Sequence, residues 1–157
     1  MDRHQKSWIT HIAMPNAENT SAPADFPAAF EISDPIDPLE TLTGPFYMRT
    51  GGPSGEIYLL AEAKHCNTGG SIHGGLLMTM ADMALCAACR DGLDGERAIT
   101  VSLNSEFLSA GFEGDFIVAK AELTRRGRSM AFARCLITAG DKPILSASAV
   151  TKRVPRK

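Results

Sequence analysis

Two groups of residues between positions 65 and 90 have the types and spacing that chemistry requires. One carboxylate, Asp82, lies in the middle of an apolar, alanine-rich run, and His73 precedes a glycine pair, Gly74-Gly75, at the start of that run. Burying an unpaired carboxylate costs several kcal/mol, so Asp82 must be neutral, paired or in contact with a wet cleft. It is either a structural residue with a satisfied side chain or a general base or nucleophile.

The glycine pair offers a place for an oxyanion. Glycines at a helix start leave the N–H groups of the first turn accessible, and the helix dipole adds positive potential there. Such a place resembles the hole that holds the tetrahedral intermediate of acyl transfer, with Asn67 and His73 as further hydrogen-bond donors. A turn asparagine and a helix-capping histidine are the plain structural interpretations of these two residues.

The periodicity of residues 75–90 predicts one enclosed helix. On a helical wheel Gly75, Thr79, Asp82 and Cys86 form one narrow stripe, and apolar residues cover the rest of the circumference. Strand-like runs bounded by glycine-containing turns lie on both sides of it, at 45–51, 55–63, 97–108, 114–127, 129–140 and 143–153. The order β-β-α-β-β-β-β predicts an α+β domain with a mainly antiparallel sheet, because parallel strands would need repeated crossover helices.

Length and composition predict a single domain over residues 35–157. The chain has 157 residues, 44% of them hydrophobic, which suits one core and often a symmetric oligomer. Residues 1–34 lack a period and are predicted to form a flexible N-terminal arm, with a short helix near Phe26 to Phe30. A brief helix is also expected in "DPIDPLETLTG", residues 34–44.

The charge pattern bears on partners and location. The net charge is −2, which argues against nucleic acid as the main partner, although residues 120–157 hold ten Lys or Arg and two acids. This basic segment suits a small anionic ligand or is a solvated face. The first 23 residues contain no apolar h-region or cleavage site, so no leader peptide is expected, and no apolar run is long enough to cross a bilayer. We therefore expect a cytoplasmic protein with no membrane partner and with reduced thiols.

The four cysteines do not predict a metal site. Cys86 and Cys89 have the C-x-x-C spacing, but both fall within the helix pattern and no second such pair exists. We predict no metal and interpret all four cysteines as small buried hydrophobic residues.

The spacing Asn67-x-x-Gly70-x-x-His73-Gly74-Gly75, followed by Asp82 in "MADMA", resembles the signature of the hotdog-fold acyl-CoA thioesterases. The similarity is to their phenylacetate-degradation, PaaI-like, branch and covers about residues 44–152. The resemblance implies a six-stranded antiparallel sheet wrapped around one long central helix. It also implies a homodimer or homotetramer whose active sites lie at the subunit interface.

The same resemblance implies roles for individual residues. Asp82 would act as general base or nucleophile on an acyl-CoA, releasing the acid and free coenzyme A. The Gly75 N–H would polarise the thioester carbonyl, while Asn67 and His73 from the other subunit would position it or the water. Thr100 would orient the carboxylate. Coenzyme A is part of the substrate, so no separate cofactor is expected, and its phosphates are assigned to Arg125, Arg126 and Arg128 around a strand turn.

Two other functions stay open. Hotdog proteins include hydratases and dehydratases, which use an Asp and a His to move protons on the acyl chain. A protein of this fold could also bind an acyl-CoA without turnover. The acyl group itself is not predicted, because the residues expected near it, Met78, Met83 and Phe107, suit many shapes and equally suit a core.

Overall fold

Within residues 22–32, 37–93 and 95–155, which the computed structural model describes, seven β-strands form one sheet around a long helix. Neighbouring strands are antiparallel, in the order β1-β2-β3-β5-β6-β7-β4. The elements are β1 Phe30–Ile32, α1 Pro38–Thr43, β2 Tyr47–Arg49, β3 Glu56–Leu60, a 3-10 turn Ala63–His65, α2 Gly74–Arg90, β4 Glu96–Phe107, β5 Phe116–Arg126, β6 Met130–Ala139 and β7 Lys142–Pro155.

The predicted order of elements is confirmed, with one addition. The six predicted strands are β2 to β7, and α2 coincides with the predicted helix. The brief helix predicted within residues 34–44 is α1, which Asp37 caps by accepting hydrogen bonds from two first-turn N–H groups. The seventh strand, β1, lies in the segment predicted as a flexible arm. Residues 1–21 and 33–34 of that arm are outside the described residues.

An aromatic cluster explains why part of the N-terminal segment joins the sheet. Phe26 makes edge-to-face contacts with Phe30, Tyr47 and Phe116, with ring centroids 5.3, 4.9 and 5.3 Å away. The guanidinium of Arg49 lies over the Phe30 ring at 5.3 Å. Residues 24–29 form turns rather than the predicted short helix. The aromatic partners come from β2 and β5, so contacts distant in sequence, and not local propensity, fix this segment.

Helix α2 is enclosed by the inner face of the sheet. Its buried side chains cover most of its circumference and are Leu76, Leu77, Met80, Ala81, Ala84, Leu85, Ala87, Ala88 and Cys89. The predicted stripe is confirmed, since Thr79, Asp82 and Cys86 are only half-buried. Asp82 and Cys86 contact β4 through Thr100. No helix among the described residues is long and apolar enough to cross a bilayer.

Strand β4 forms one edge of the sheet and pairs only with β7 among the described strands. Its outer edge therefore presents unpaired backbone groups. Ile99 and Val101 are 52% and 58% exposed on this strand. The register with β7 shifts between Thr100 and Ser102, and such a bulge re-aims the side chains beside it. The edge that carries Thr100 is thus apolar and open to another chain.

Candidate active site

Asp82 is held by a hydroxyl group and not by a cation. Its Oδ1 accepts a hydrogen bond of 2.5 Å from Thr100 Oγ1. The same hydroxyl oxygen lies 3.3 Å from Cys86 Sγ. None of the salt bridges among the described residues involves Asp82. A carboxylate with one oxygen bound by a hydroxyl keeps capacity on its other oxygen for a further partner.

A cavity of about 550 Å³ opens onto Asp82. Its wall includes apolar side chains from α2, β2, β3 and β4, namely Met48, Ile57, Met83, Ala87 and Ala98, together with Cys86. Polar residues at its sides are Asp37, Glu40, Ser54, Arg90, Asp91 and Glu96. Asp82 therefore meets the requirement for a cleft that the sequence raised. Of the residues expected near the acyl group, Met83 lines this cavity, whereas Met78 and Phe107 are exposed elsewhere on the surface.

At the start of α2, two residues of the predicted site, His73 and Gly75, form a hydrogen bond with each other. His73 is the N-cap, and its Nδ1 accepts a hydrogen bond of 2.9 Å from the Gly75 N–H. The neutral ring then carries its proton on Nε2. No described residue accepts a hydrogen bond from the Gly74 N–H. A Cβ at Gly74 would lie 2.9 Å from the Phe107 ring, so a side chain there would require the exposed Phe107 ring to shift.

Asn67 shapes the loop that leads into α2. Its Oδ1 accepts a hydrogen bond of 2.8 Å from the Gly69 N–H, and its Nδ2 donates one of 2.9 Å to Ser71 Oγ. This is the Asx turn that a turn asparagine makes. The backbone N–H of His73 donates to the His65 carbonyl at 2.9 Å, which ties the end of the loop to its start. Asn67 thus supports the position of His73.

The buried imidazole of His65 anchors the start of this loop, a role that the sequence did not reveal. His65 is 3% exposed, and its Nδ1 accepts a hydrogen bond of 2.8 Å from the Glu62 N–H. Burial lowers the pKa of His65 below its ordinary value. The only sequence signal was a polar residue at the end of a strand-like run, which is too common to be specific.

The three arginines assigned to coenzyme A differ in environment. Arg126 donates hydrogen bonds to the backbone carbonyls of Asp91 and Cys89 at 2.7 and 3.3 Å, and so holds the end of α2 against β5. Arg125 and Arg128 are exposed beside the same turn. Arg126 therefore has a structural role that the sequence did not predict, and the coenzyme A role of all three stays a prediction.

The two groups of site residues do not converge within one chain. Gly75 and Asp82 are seven residues apart on α2, which places them about 10 Å apart along the helix axis. A thioester must lie about 3 to 3.5 Å from both the attacking group and the oxyanion donor. One chain brings together Asp82, Thr100 and Cys86, and separately brings together Asn67, His73 and Gly75.

Comparison with known proteins identifies the family of this chain. The profile of the family described as "Thioesterase superfamily" matches residues 69–145, which contain Asp82, His73 and Thr100. A putative esterase of Pseudomonas aeruginosa, PA0474, is 33% identical over 126 residues, covering 79% of this chain and 94% of its own. The chain belongs to the thioesterase superfamily. Membership makes it a hydrolase that acts on thioester bonds.

Further similarities place this thioesterase-superfamily chain near the PaaI proteins. Acyl-coenzyme A thioesterase PaaI of Escherichia coli is 32% identical over 72 residues, 46% of this chain and 50% of its own. The structure of the E. coli PaaI protein matches with a TM-score of 0.64 at 21% identity, covering 78% of this chain and 88% of that one. The smu.793 protein of Streptococcus mutans, solved bound to acetyl CoA, gives 0.60 at 20% identity, covering 65% and 82%. The hotdog fold and the PaaI-like resemblance are confirmed.

Proposed function

We propose that the protein hydrolyses an acyl-CoA, converting R-CO-S-CoA and water to the acid and free coenzyme A. The observation that carries the proposal is the Asp82 carboxylate, which is bound by the Thr100 hydroxyl and exposed to a cavity of about 550 Å³. The name of the E. coli relative, acyl-coenzyme A thioesterase, supports coenzyme A as the thiol part of the substrate. The acetyl CoA bound to the S. mutans neighbour supports the same choice.

Asp82 can act in two ways on a thioester. As a general base it takes a proton from water, the resulting hydroxide adds to the carbonyl carbon, and the tetrahedral intermediate expels the coenzyme A thiolate. As a nucleophile its free oxygen attacks the carbonyl carbon, coenzyme A leaves, and water then hydrolyses the mixed anhydride. In both routes Thr100 occupies one carboxylate oxygen and so directs the other toward the cavity.

The helix start supplies the oxyanion donor in this proposal. The thioester oxygen takes the place of His73 Nδ1 at the Gly75 N–H, and the exposed imidazole rotates away. The neighbouring Gly74 N–H is available at the same helix end. One such donor contributes about 10²- to 10³-fold to kcat when its geometry is fixed in advance.

We further propose that the working form is a homodimer joined along β4. The separation of about 10 Å between Gly75 and Asp82 on one helix requires a second chain at each site. Strand β4 offers the open edge and the exposed apolar side chains of Ile99 and Val101. Asp82 contacts this same strand through Thr100, so the carboxylate lies beside the joint between the copies. Gly75 of the second copy would complete the site.

Arg125 and Arg128 are proposed to meet the phosphates of coenzyme A. Both are exposed, they flank one turn of the sheet, and no salt bridge within the described residues engages either of them. Guanidinium groups bind phosphates through paired, charge-assisted hydrogen bonds. Arg126 contributes by holding the turn in place.

The cytoplasm is the proposed site of action. All four cysteines, Cys66, Cys86, Cys89 and Cys135, are unpaired thiols. Free thiols persist in the reducing conditions of that compartment.

Hydration of an enoyl-CoA is less well supported by the site. Hydratases need an Asp and a His that act on the same acyl carbons. Here Asp82 is bound by the Thr100 hydroxyl, and His73 Nδ1 accepts from the Gly75 N–H, so neither side chain is engaged in an Asp–His pair. Loss of the conjugated double bond of an enoyl-CoA without release of thiol would nevertheless show hydration directly.

A panel of acyl-CoAs tests the proposal. Thiol release is measured with a thiol reagent, and because the protein has four thiols of its own, the decay of thioester absorbance is followed in parallel. Asp82→Asn should lower kcat by about 10²- to 10⁴-fold, the usual contribution of a general base. Asp141→Asn makes the same chemical change at an exposed turn and should leave kcat unchanged. Equal turnover by wild type and Asp82→Asn would remove Asp82 from the mechanism, and tight binding without any turnover would indicate a non-catalytic binder.

A further inference from the structure

We propose that Cys86 is a positioning residue, whose thiol holds the Thr100 hydroxyl in the orientation that donates to Asp82. The proposal rests on the proposed thioesterase function of Asp82. It gives a role to a cysteine that the sequence led us to interpret as a buried hydrophobic residue. Cys86 is instead half-buried and lines the cavity beside Asp82.

The geometry links three side chains in one chain of contacts. Asp82 and Cys86 are four residues apart on α2, so they extend from successive turns of the same face. Both reach the hydroxyl of Thr100 on β4, at 2.5 Å for Asp82 Oδ1 and 3.3 Å for Cys86 Sγ. The sulfur has one other acceptor within reach, the Ala98 carbonyl, at the longer distance of 3.9 Å.

The number of protons fixes the direction of these hydrogen bonds. A threonine hydroxyl has one proton to donate and two lone pairs to accept with, whereas an ionised carboxylate only accepts. The Thr100 proton therefore points to Asp82, and a lone pair of the hydroxyl faces Cys86. The thiol can complete this arrangement only by donating its own proton to Thr100. The chain runs from Cys86 S–H to Thr100 O–H to the Asp82 carboxylate.

The environment keeps the thiol protonated, as this arrangement requires. Burial is the largest effect and raises the pKa of Cys86, the hydrogen bond with Thr100 lowers it by less, and the charge of Asp82 raises it again, so that the net direction is upward. The other charged groups facing the same cavity are Asp37, Glu40, Asp91 and Glu96. Cys86 is accordingly a hydrogen-bond donor at neutral pH and a poor nucleophile.

Positioning by Cys86 has a defined kinetic consequence. The Cys86 thiol, by donating to the Thr100 hydroxyl, restricts rotation of that hydroxyl. The Asp82 oxygen that faces the cavity therefore keeps a fixed orientation. Hydrogen bonds in series also strengthen one another. Removal of the thiol should lower kcat about three- to tenfold, the effect of one hydrogen bond of ordinary strength, and should leave KM within about twofold.

Three variants test this role. Cys86→Ala removes the donor, while Cys86→Ser restores a donor and should bring kcat back to within about twofold of wild type. Cys89→Ala removes a fully buried thiol from the same helix, outside the chain of contacts, and should change stability but not kcat. Wild-type kcat in Cys86→Ala, or failure of Cys86→Ser to restore a lost kcat, would overturn the proposal.

A double-mutant cycle separates positioning from a general effect on packing. If Cys86 acts through Thr100, Cys86→Ala should have no further effect on kcat in a Thr100→Val background. Independent, multiplying losses would overturn the proposal.

An infrared measurement tests the hydrogen bond without any substrate, so that its failure is distinct from failure of the thioesterase assignment. The S–H stretching band of Cys86 is obtained as the difference between wild type and Cys86→Ala. A donating thiol absorbs at lower frequency, so this band should move to higher frequency in Thr100→Val. A band at the same frequency with and without the Thr100 hydroxyl would overturn the proposal even in an active enzyme.

Discussion

The Thr100 hydroxyl donates a hydrogen bond of 2.5 Å to the Asp82 carboxylate and thereby joins the edge strand β4 to the central helix α2. Strand β4 is also an edge strand of the sheet. The orientation of the Asp82 carboxylate therefore depends on the backbone position of this edge strand. A disturbance at the edge reaches the carboxylate through a single hydroxyl. The first prediction concerns that hydroxyl.

Thr100→Val removes the donor but keeps the branched shape that suits a strand. We expect kcat for acyl-CoA hydrolysis to fall about 10- to 100-fold, since hydrogen bonds to charged groups contribute about 1.5 to 3 kcal/mol. KM should change little. Steady-state kinetics over a range of concentrations of the preferred acyl-CoA gives both kcat and KM. Thr100→Ser keeps the hydroxyl and should retain most of the activity.

Thr151→Val provides a matched control for this substitution. Thr151 lies opposite Thr100 on β7, is fully buried, and its hydroxyl has no hydrogen-bond partner among the described residues. Loss of an unsatisfied buried hydroxyl should leave activity unchanged. The free energy of unfolding should stay the same or rise by up to about 1 kcal/mol. An equal loss of kcat in both valine variants would show that Thr100 acts through packing.

Mixing two inactive variants tests whether each site draws on two chains. Gly75→Pro removes the N–H donor at a first-turn position where proline is tolerated, and Asp82→Asn removes the carboxylate. If the site spans two chains, an equal mixture refolded together should recover about a quarter of wild-type activity. Half of the dimers are then mixed, and each mixed dimer holds one intact site.

Activity that stays at the level of the separate variants would place the whole site within one chain.

Val101→Lys supplies an independent check, because a charge at this exposed edge position should prevent strand pairing between copies. Analytical ultracentrifugation should then show monomers, with a parallel loss of turnover.

The loop that carries Asn67 and His73 should lose stability in mild acid through His65. Burial lowers the pKa of His65 below about 6.5, so below that pH the unfolded chain binds a proton that the folded chain resists. The free energy of unfolding should therefore fall as the pH drops from about 6.5 and should level out below the pKa of the folded state.

Urea unfolding at about pH 7.5 and about pH 5 measures this effect. His65→Asn keeps an acceptor for the Glu62 N–H and does not titrate, so it should remove this part of the pH dependence. The same dependence in the asparagine variant would assign it to other groups.

The three arginines near Gly127 should separate into two classes. Arg125→Ala and Arg128→Ala should each raise KM for acyl-CoA about two- to fivefold, and added salt should reduce the difference, because exposed charge pairs are weak and screened. Arg126→Ala should instead lower the free energy of unfolding by about 2 kcal/mol, since the end of α2 loses its charged donor. Unchanged KM in all three variants would move the phosphate site elsewhere.

Local sequence patterns determine the parts of the molecule that could be predicted. The helical period of residues 75–90 depends on neighbours within two turns, and the strands are bounded by glycine and proline. The half-buried position of Asp82 followed from one polar side chain on an otherwise apolar helix. These features need no knowledge of distant contacts.

Contacts between distant residues explain what the sequence did not reveal. Strand β1 depends on aromatic rings from β2 and β5. The functional environment of Cys86 depends on its contact with Thr100, 14 residues later on β4, and helical periodicity alone cannot show that contact. Arg126 was assigned to a ligand because its charge is visible in sequence, whereas the carbonyls it binds, 35 and 37 residues earlier, are not.

The cavity beside Asp82 has an acidic rim, and this rim should affect the acid product that hydrolysis forms. Among the described lining residues, Arg90 is the one cation, whereas the acidic residues are Asp37, Glu40, Asp82, Asp91 and Glu96. Hydrolysis turns an uncharged acyl group into an anion within this rim, and like charges repel at short range. The newly formed acid should therefore leave readily, and added free acids should inhibit only at concentrations well above the KM of the matching acyl-CoA. Such a cavity favours release of the acid product.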